Sequence, residues 1–339
     1  MSTPASTPAE ADTPPSGTDA TGTTGAAKKL AAVVLGLTAV VTMMLCAFAL
    51  PSVNGGPHHV PIGVTGPQPA AQGLGAKLDG DEWDVTVYAD TEALTAAIKD
   101  REVVGGIALS GGKADIYTAT AGAPTATAAL TALGNGLAAQ QRLQPAVHDL
   151  VPYPEDDPRG AGFAAAGLPL IFGGMFPAVL LTRLFPGHAG LRLRLAGAVV
   201  FSLLAGAAVA AFLQYGTGSL AGSYGVTALG LSLGMAALSL TFIGLEALAG
   251  MAGFGAAAGV MMLLGNPLSG MASGPYWLPD FWAHLGQYLP PGASGTLLRA
   301  NSFFDGAGAA LPGTVLTCWI VFGLALILIA DRRAARTAG

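Results

Sequence analysis

The side chains best suited to metal chemistry are His58, His59, Asp280 and His284. Asp280 and His284 are four apart, a spacing that puts two ligands on one helix face, but a site needs at least three convergent ligands and no His-Glu-x-x-His pattern occurs. The four are read as an interfacial polar face. Gly111-Gly112-Lys113-Ala114 approaches a phosphate-cradling loop and fails twice: Ile107 stands where the first Gly belongs, and Ala114 replaces the magnesium-binding hydroxyl. No Gly-x-Ser-x-Gly elbow supports a serine nucleophile. The expectation is a chain without catalytic residues, cofactor or metal, and not an enzyme. Glu246, the one acid between Val226 and Leu264, is read as a charge at a turn.

Composition says what such residues would be mounted on. Charged residues are 10% of the chain and hydrophobic ones 52%, whereas a soluble domain carries about a quarter charged. Apolar runs long enough to cross a bilayer lie at 30–50, 164–182, 195–213, 226–245, 247–264 and 314–330. This predicts an α-helical integral membrane protein with six transmembrane helices. Lys28, Lys29, Arg183, Arg192, Arg194, Arg332, Arg333 and Arg336 fall on one side if the spans alternate, which orients both termini to the cytoplasm of a multi-pass plasma-membrane protein. The expected plan is a disordered cytoplasmic tail at 1–28, a first helix at 29–50, an extracytoplasmic domain at 51–163, a five-helix bundle at 164–331 and a cytoplasmic tail at 332–339. Cys46 and Cys318 both sit in apolar runs, so no disulfide framework is implied.

The insert at 51–163 holds thirteen Asp and Glu against six Lys and Arg, a balance that argues against nucleic acid as a partner. Its pattern predicts a small α/β domain. Strands are expected at 60–65, 83–89, 103–110 and 113–118, helices at 68–78 and 91–99, and an Ala-rich helix from Pro124 to about Val147. Gly111-Gly112 supplies the positive φ angles of a two-residue hairpin. Gly230/Gly234 and Gly255/Gly259 give the small-xxx-small spacing of close helix contacts.

Residues 266–312 are too rich in Pro and Gly to span as one helix, yet contain Tyr276, Trp277, Phe281, Trp282 and Tyr288. Such rings settle at a membrane interface. The stretch reads as an outer re-entrant hairpin with turns at Pro267, Pro279 and Pro290 and anchors at Trp277 and Trp282. The short basic loop Arg183 to Arg194 carries Leu184, Phe185 and Leu191, which a cytosolic partner could grip.

This layout resembles the ABC-2 type transporter permease family, in particular its phage-infection-protein-like branch. The resemblance rests on Val60-Pro61-Ile62-Gly63-Val64, on Ala97-Ile98-Lys99-Asp100 with Gly105-Gly106-Ile107-Ala108-Leu109, and on Gly265-Asn266-Pro267-Leu268-Ser269-Gly270. Leu278-Pro279, Leu289-Pro290-Pro291-Gly292 and Leu298-Arg299 complete it. It implies an exporter subunit that pairs as a homo- or heterodimer in the lipid bilayer and is driven by a separate cytosolic ATP-binding subunit. An amphipathic or hydrophobic substrate would move by alternating access. It further implies that Arg183, Leu184, Phe185, Leu191, Arg192 and Arg194 couple to the ATPase, although Pro186-Gly187 interrupts that element. Asn266, Pro267, Trp277, Pro279, Trp282, Pro290 and Pro291 would form an outer gate. The alternative is a membrane-anchored receptor or envelope scaffold whose extracytoplasmic domain binds a partner.

Overall fold

The computed structural model describes residues 20–53, 55–187 and 189–338. Contacts divide the chain after Cys46 into two units. The first is the body of α1 (Ala20–Val53), a helix whose 25-residue stretch Gly25–Ala49 is long and apolar enough to cross a membrane. Residues 20–28 of the expected tail are therefore helical, because extending a formed helix needs no new nucleation. Residues 1–19 of that tail lie outside the described residues.

The second unit begins with a five-stranded sheet in the order β2-β1-β3-β4-β5. Its elements run β1 (Val60–Thr65), α2 (Gln68–Leu78), β2 (Trp83–Val87), α3 (Thr91–Lys99), β3 (Gly105–Ser110), β4 (Lys113–Thr118), α4 (Pro124–Gln141) and β5 (Gln144–Asp149). Only the β3–β4 pair is antiparallel, turned by Gly111 and Gly112 at φ 48° and 82°. Asp90 caps α3, its Oδ1 accepting from Ala93 N at 2.8 Å. One sheet face is closed by Leu74 of α2 and by Ala126, Leu130 and Leu137 of α4. The other is closed by Leu94 and Ile98 of α3 together with Phe304, from far along the chain.

The Ala-rich helix stops short of its expected end. Arg142 takes the left-handed φ of 57° and Gln144 precedes a proline, a position that disfavours helix. Residues 144–149 instead pair with β4 as an edge strand, where a proline is tolerated.

Four apolar helical stretches follow: Ala161–Leu184, comprising α5 (Ala161–Ala165) and α6 (Gly167–Leu184); Leu191–Gly216, led by α7 (Leu191–Ala211); Tyr224–Gly265, led by α8 (Tyr224–Val260); and Ala310–Arg336 within α11 (Ala310–Ala338). With α1, five helices among the described residues are long and apolar enough to cross a membrane, against the six that the apolar runs predict. The runs 226–245 and 247–264 have merged into one element of 42 residues. Straight, it would measure about 63 Å, twice a hydrocarbon core of about 30 Å. It is broken at Gly250, whose φ of 63° and ψ of −155° are open to glycine almost alone. The chain reverses there, bringing the rings of Phe242 and Phe254 to 5.2 Å. The return arm, 251–265, is only about 22 Å long.

α8 is the centre of the bundle, 72% of its apolar window being buried against 22–33% for α6, α7 and α11. Of the two expected glycine pairs, Gly230 and Gly234 face Asn301 and Ser294, while Gly255 and Gly259 meet nothing within 4 Å. A close backbone-to-backbone crossing lies elsewhere. A Cβ on Gly323 of α11 would come within 2.6 Å of the Leu240 carbonyl carbon of α8, and one on Gly244 within 2.7 Å of the Gly323 oxygen. Gly323→Ala is expected to lower stability by about 1–3 kcal/mol, whereas Gly259→Ala, with open space around it, is expected to leave it unchanged or raise it by up to about 1 kcal/mol. Thermal melting of the purified variants checks this, and equal melting temperatures would contradict the α8–α11 crossing.

Candidate functional site

Residues 266–312 fold as a packed block. Pro267 opens a 3₁₀ turn, Pro279 precedes α9 (Asp280–Tyr288), and Pro290 opens α10 (Pro290–Phe303), which is buried almost throughout. Pro fits these entries because a first-turn N–H has no helical partner to lose. The backbones close in at glycine: a side chain at Gly286 would strike the Leu268 carbonyl, and one at Gly292 the Gly286 carbonyl. Gln287 then joins the layers, its Nε2 donating to Ser269 O at 3.2 Å and its Oε1 accepting from Thr296 at 2.5 Å. Trp319 Nε1 of α11 donates to Tyr288 O at 2.8 Å.

The residues expected to form a gate are spread over this block. Asn266 and Pro267 are half-buried, Pro290 and Pro291 are buried, Trp277 and Pro279 are half-buried, and Trp282 is exposed with its ring set edge-on to Phe281 at 5.2 Å. The block is strapped to the sheet domain rather than free of it. Gly56 and His58 donate backbone N–H groups to the carbonyls of Trp277 and Tyr276, at 3.4 and 3.3 Å, and Thr125 donates its hydroxyl to Ser273 O at 2.5 Å.

The central tie is Arg299. Its side chain is fully buried. Nε donates to Ala121 O at 3.1 Å, and Nη2 to Met271 O at 2.9 Å and Gly270 O at 3.4 Å. The guanidinium lies 4.7 Å from the centre of the Phe163 ring. One cation thus joins the sheet domain, the 3₁₀ turn and the start of the α5–α6 span. Burial pushes its pKa down to about 10, partly countered by Tyr153, so it stays charged at neutral pH. Asp157 holds the same corner, accepting from Ala161 N and Gly162 N at 2.8 and 2.7 Å.

A cleft of about 480 Å³ opens between the sheet domain and this block. His58, His59, Asp280 and His284, grouped by type in the sequence, all line it. Only His59 Nε2 and Asp280 Oδ2 approach one another, at 3.6 Å, and His284 Nδ1 bonds to Asp280 O at 2.7 Å. Among the described residues no group of three or more His, Cys, Asp or Glu is arranged to hold a metal ion. Two more residues line it: Arg101, which the sequence did not single out, and Tyr276, read there only as an interfacial ring. Burial lowers the pKa of Arg101, and burial raises that of Tyr276, each opposed by the charge of the other.

At the opposite end of the bundle, α6 ends at Leu184, α7 begins at Leu191, and Phe185, Pro186 and Gly187 turn out of helix between them. Arg194 is buried and clips that turn, Nε donating to Phe185 O at 2.7 Å, Nη2 to Gly187 O at 3.0 Å, and Nη1 to Glu246 at 2.7 Å. Leu191 is buried as well. Of the six residues expected to couple to a partner, Arg183, Leu184 and Arg192 are exposed, Phe185 is half-buried, and Leu191 and Arg194 belong to the interior. Glu246 is likewise more than a loop charge, since it neutralises Arg194 just before the Gly250 reversal.

Compared with protein families, curated proteins and solved structures, the chain matches none.

Removing the Arg299 tie should be costly. Arg299→Lys keeps the charge but not the planar fork, and Arg299→Gln loses both. Each is expected to destabilise the protein by about 2–5 kcal/mol, because buried carbonyls lose their donors. Melting together with limited proteolysis between the sheet domain and α10 reads it out; wild-type behaviour of Arg299→Lys would show that charge alone suffices.

Proposed function

We propose that this chain is the membrane-spanning subunit of an exporter of the ABC-2 type, working as a dimer and powered by a separate cytosolic ATP-binding subunit. The observation that carries this reading is the packed, proline-broken block 266–303 beside the return arm of α8. Non-helical backbone at membrane depth is tolerated only where protein or water satisfies its polar groups, as in transport pathways. A block of that kind, fastened to a folded domain at one end of a helix bundle, suits a gate at the exit of a pathway. A compact turn with exposed Arg183, Leu184 and Arg192 at the other end suits a contact for a driving subunit. In this reading both termini face the cytoplasm, and the return arm of α8 serves as the sixth, incomplete span. The substrate moving along the Ala- and Gly-rich helix faces is amphipathic or hydrophobic.

The turn also says which residues to test. Arg194 is structural, so the informative variant is Arg183→Glu with Arg192→Glu. Tagged protein purified from its native membrane in mild detergent is expected to carry ATPase activity, lost by about tenfold or more in the double variant at an unchanged melting temperature. Absence of ATPase activity with the wild type, or full retention in the variant, would overturn the proposal.

A further inference from the structure

The cleft between the sheet domain and the 266–312 block has a charge arrangement that neither the gate nor the bundle uses. Arg101 lines it from the end of α3. It occupies the position just past the helix C-cap, where glycine is favoured, and takes φ 61°. A non-glycine residue there bears a backbone cost of about 1–2 kcal/mol. The guanidinium rests over the Phe304 ring at 5.2 Å, and Nη1 donates to Ala307 O at 3.4 Å. Among the described residues it has no carboxylate partner, and this is its one hydrogen bond to a side chain or carbonyl. A guanidinium has five N–H donors, so most of this one's capacity is unused at the wall of a cavity.

The cleft also contains carboxylates, and magnitude decides between the signs. Asp280 keeps 53% of its side chain exposed and Asp84 is exposed. Charges so solvated interact weakly and are screened by salt. Arg101 is half-buried, with its guanidinium stacked on Phe304, where the effective dielectric is lower than in bulk water and the same charge acts more strongly. Beside the histidines and the polar Gln287 and Thr296, the wall has an apolar or amphipathic part in Pro275, Tyr276, Tyr288, Leu311 and Pro312. The volume of about 480 Å³ falls in the range of small-molecule sites.

We infer that this cleft binds an amphipathic organic anion, its head group on Arg101 beside the Tyr276 hydroxyl and its apolar part along Tyr288, Leu311 and Pro312. Such an anion is either a soluble molecule or the head of an anionic lipid. The inference goes beyond the exporter reading and holds whether or not the chain transports.

The test uses the full chain in phosphatidylcholine nanodiscs, titrated by calorimetry with octanesulfonate. Octyltrimethylammonium is the cationic control, inorganic sulfate the head-group control, and empty nanodiscs the blank. Octanesulfonate is expected to bind more tightly than either control. Arg101→Gln weakens it by about tenfold or more, while Arg101→Lys, which keeps the charge, loses less, at matched melting temperatures. Tyr276→Phe is a milder variant that removes only the hydroxyl and lowers affinity without disturbing the Phe304 contact. Phosphatidylglycerol in the nanodisc then separates the sources: competition assigns the anion to the bilayer, its absence to solution, and both uphold anion recognition. Equal binding of the cationic amphiphile, or unchanged affinity in both Arg101→Gln and Tyr276→Phe, overturns it.

Discussion

A backbone interrupted by proline and glycine inside an apolar bundle leaves carbonyls that neither a helix nor a lipid tail can satisfy. Here one guanidinium meets that demand, with Arg299 taking the carbonyls of Gly270, Met271 and Ala121 at once. A lysine ammonium could not cover acceptors on three sides of a plane. Burying the charge is expensive in itself, and the aromatic face of Phe163 with the neighbouring Tyr153 lowers that cost. That one buried cation ties the broken block to the sheet domain and to the start of the α5–α6 span.

The same device recurs at the far end of the bundle in a different balance. Arg194 also collects two backbone carbonyls, from the turn at Phe185 and Gly187, but it adds a carboxylate, Glu246. The pair is nearly desolvated, with 5% and 17% of the two side chains exposed. The tie therefore resists salt better than a surface ion pair would. Each end of the bundle has its irregular backbone gathered by a single arginine, which is economical in a chain only 10% charged.

Local signals were legible and long-range ones were not. α2, α3, β1 and β4 have the limits their residue patterns predict, because capping, alternation and the Gly111-Gly112 turn act within a few residues. β5 was hidden by an alanine-rich run that reads as helix until Pro145, and its pairing with β4 is a tertiary fact. Arg299 entered the sequence reading only in the pair Leu298-Arg299, and its partner Ala121 lies 178 residues away. Arg194 was grouped with Arg183 and Arg192 because composition does not say which face of α7 points inward. His58, His59, Asp280 and His284 were picked out by side-chain type and do share a cleft, while Arg101, the half-buried cation beside them, carried no sequence signal.

The unequal arms of α8 have a consequence for the surroundings of the protein. The arm before Gly250 has 26 residues and could cross a full hydrocarbon core, whereas the 15 residues after it reach only about 22 Å. In a bilayer of ordinary thickness the difference must be made up by the polar block that follows, by tilt, or by locally thinned lipid. In the exporter reading, the seating of Pro267, Gly286 and Gly292 would then depend on membrane thickness as well as on the fold, and lipid chain length would be a variable to which the block responds mechanically.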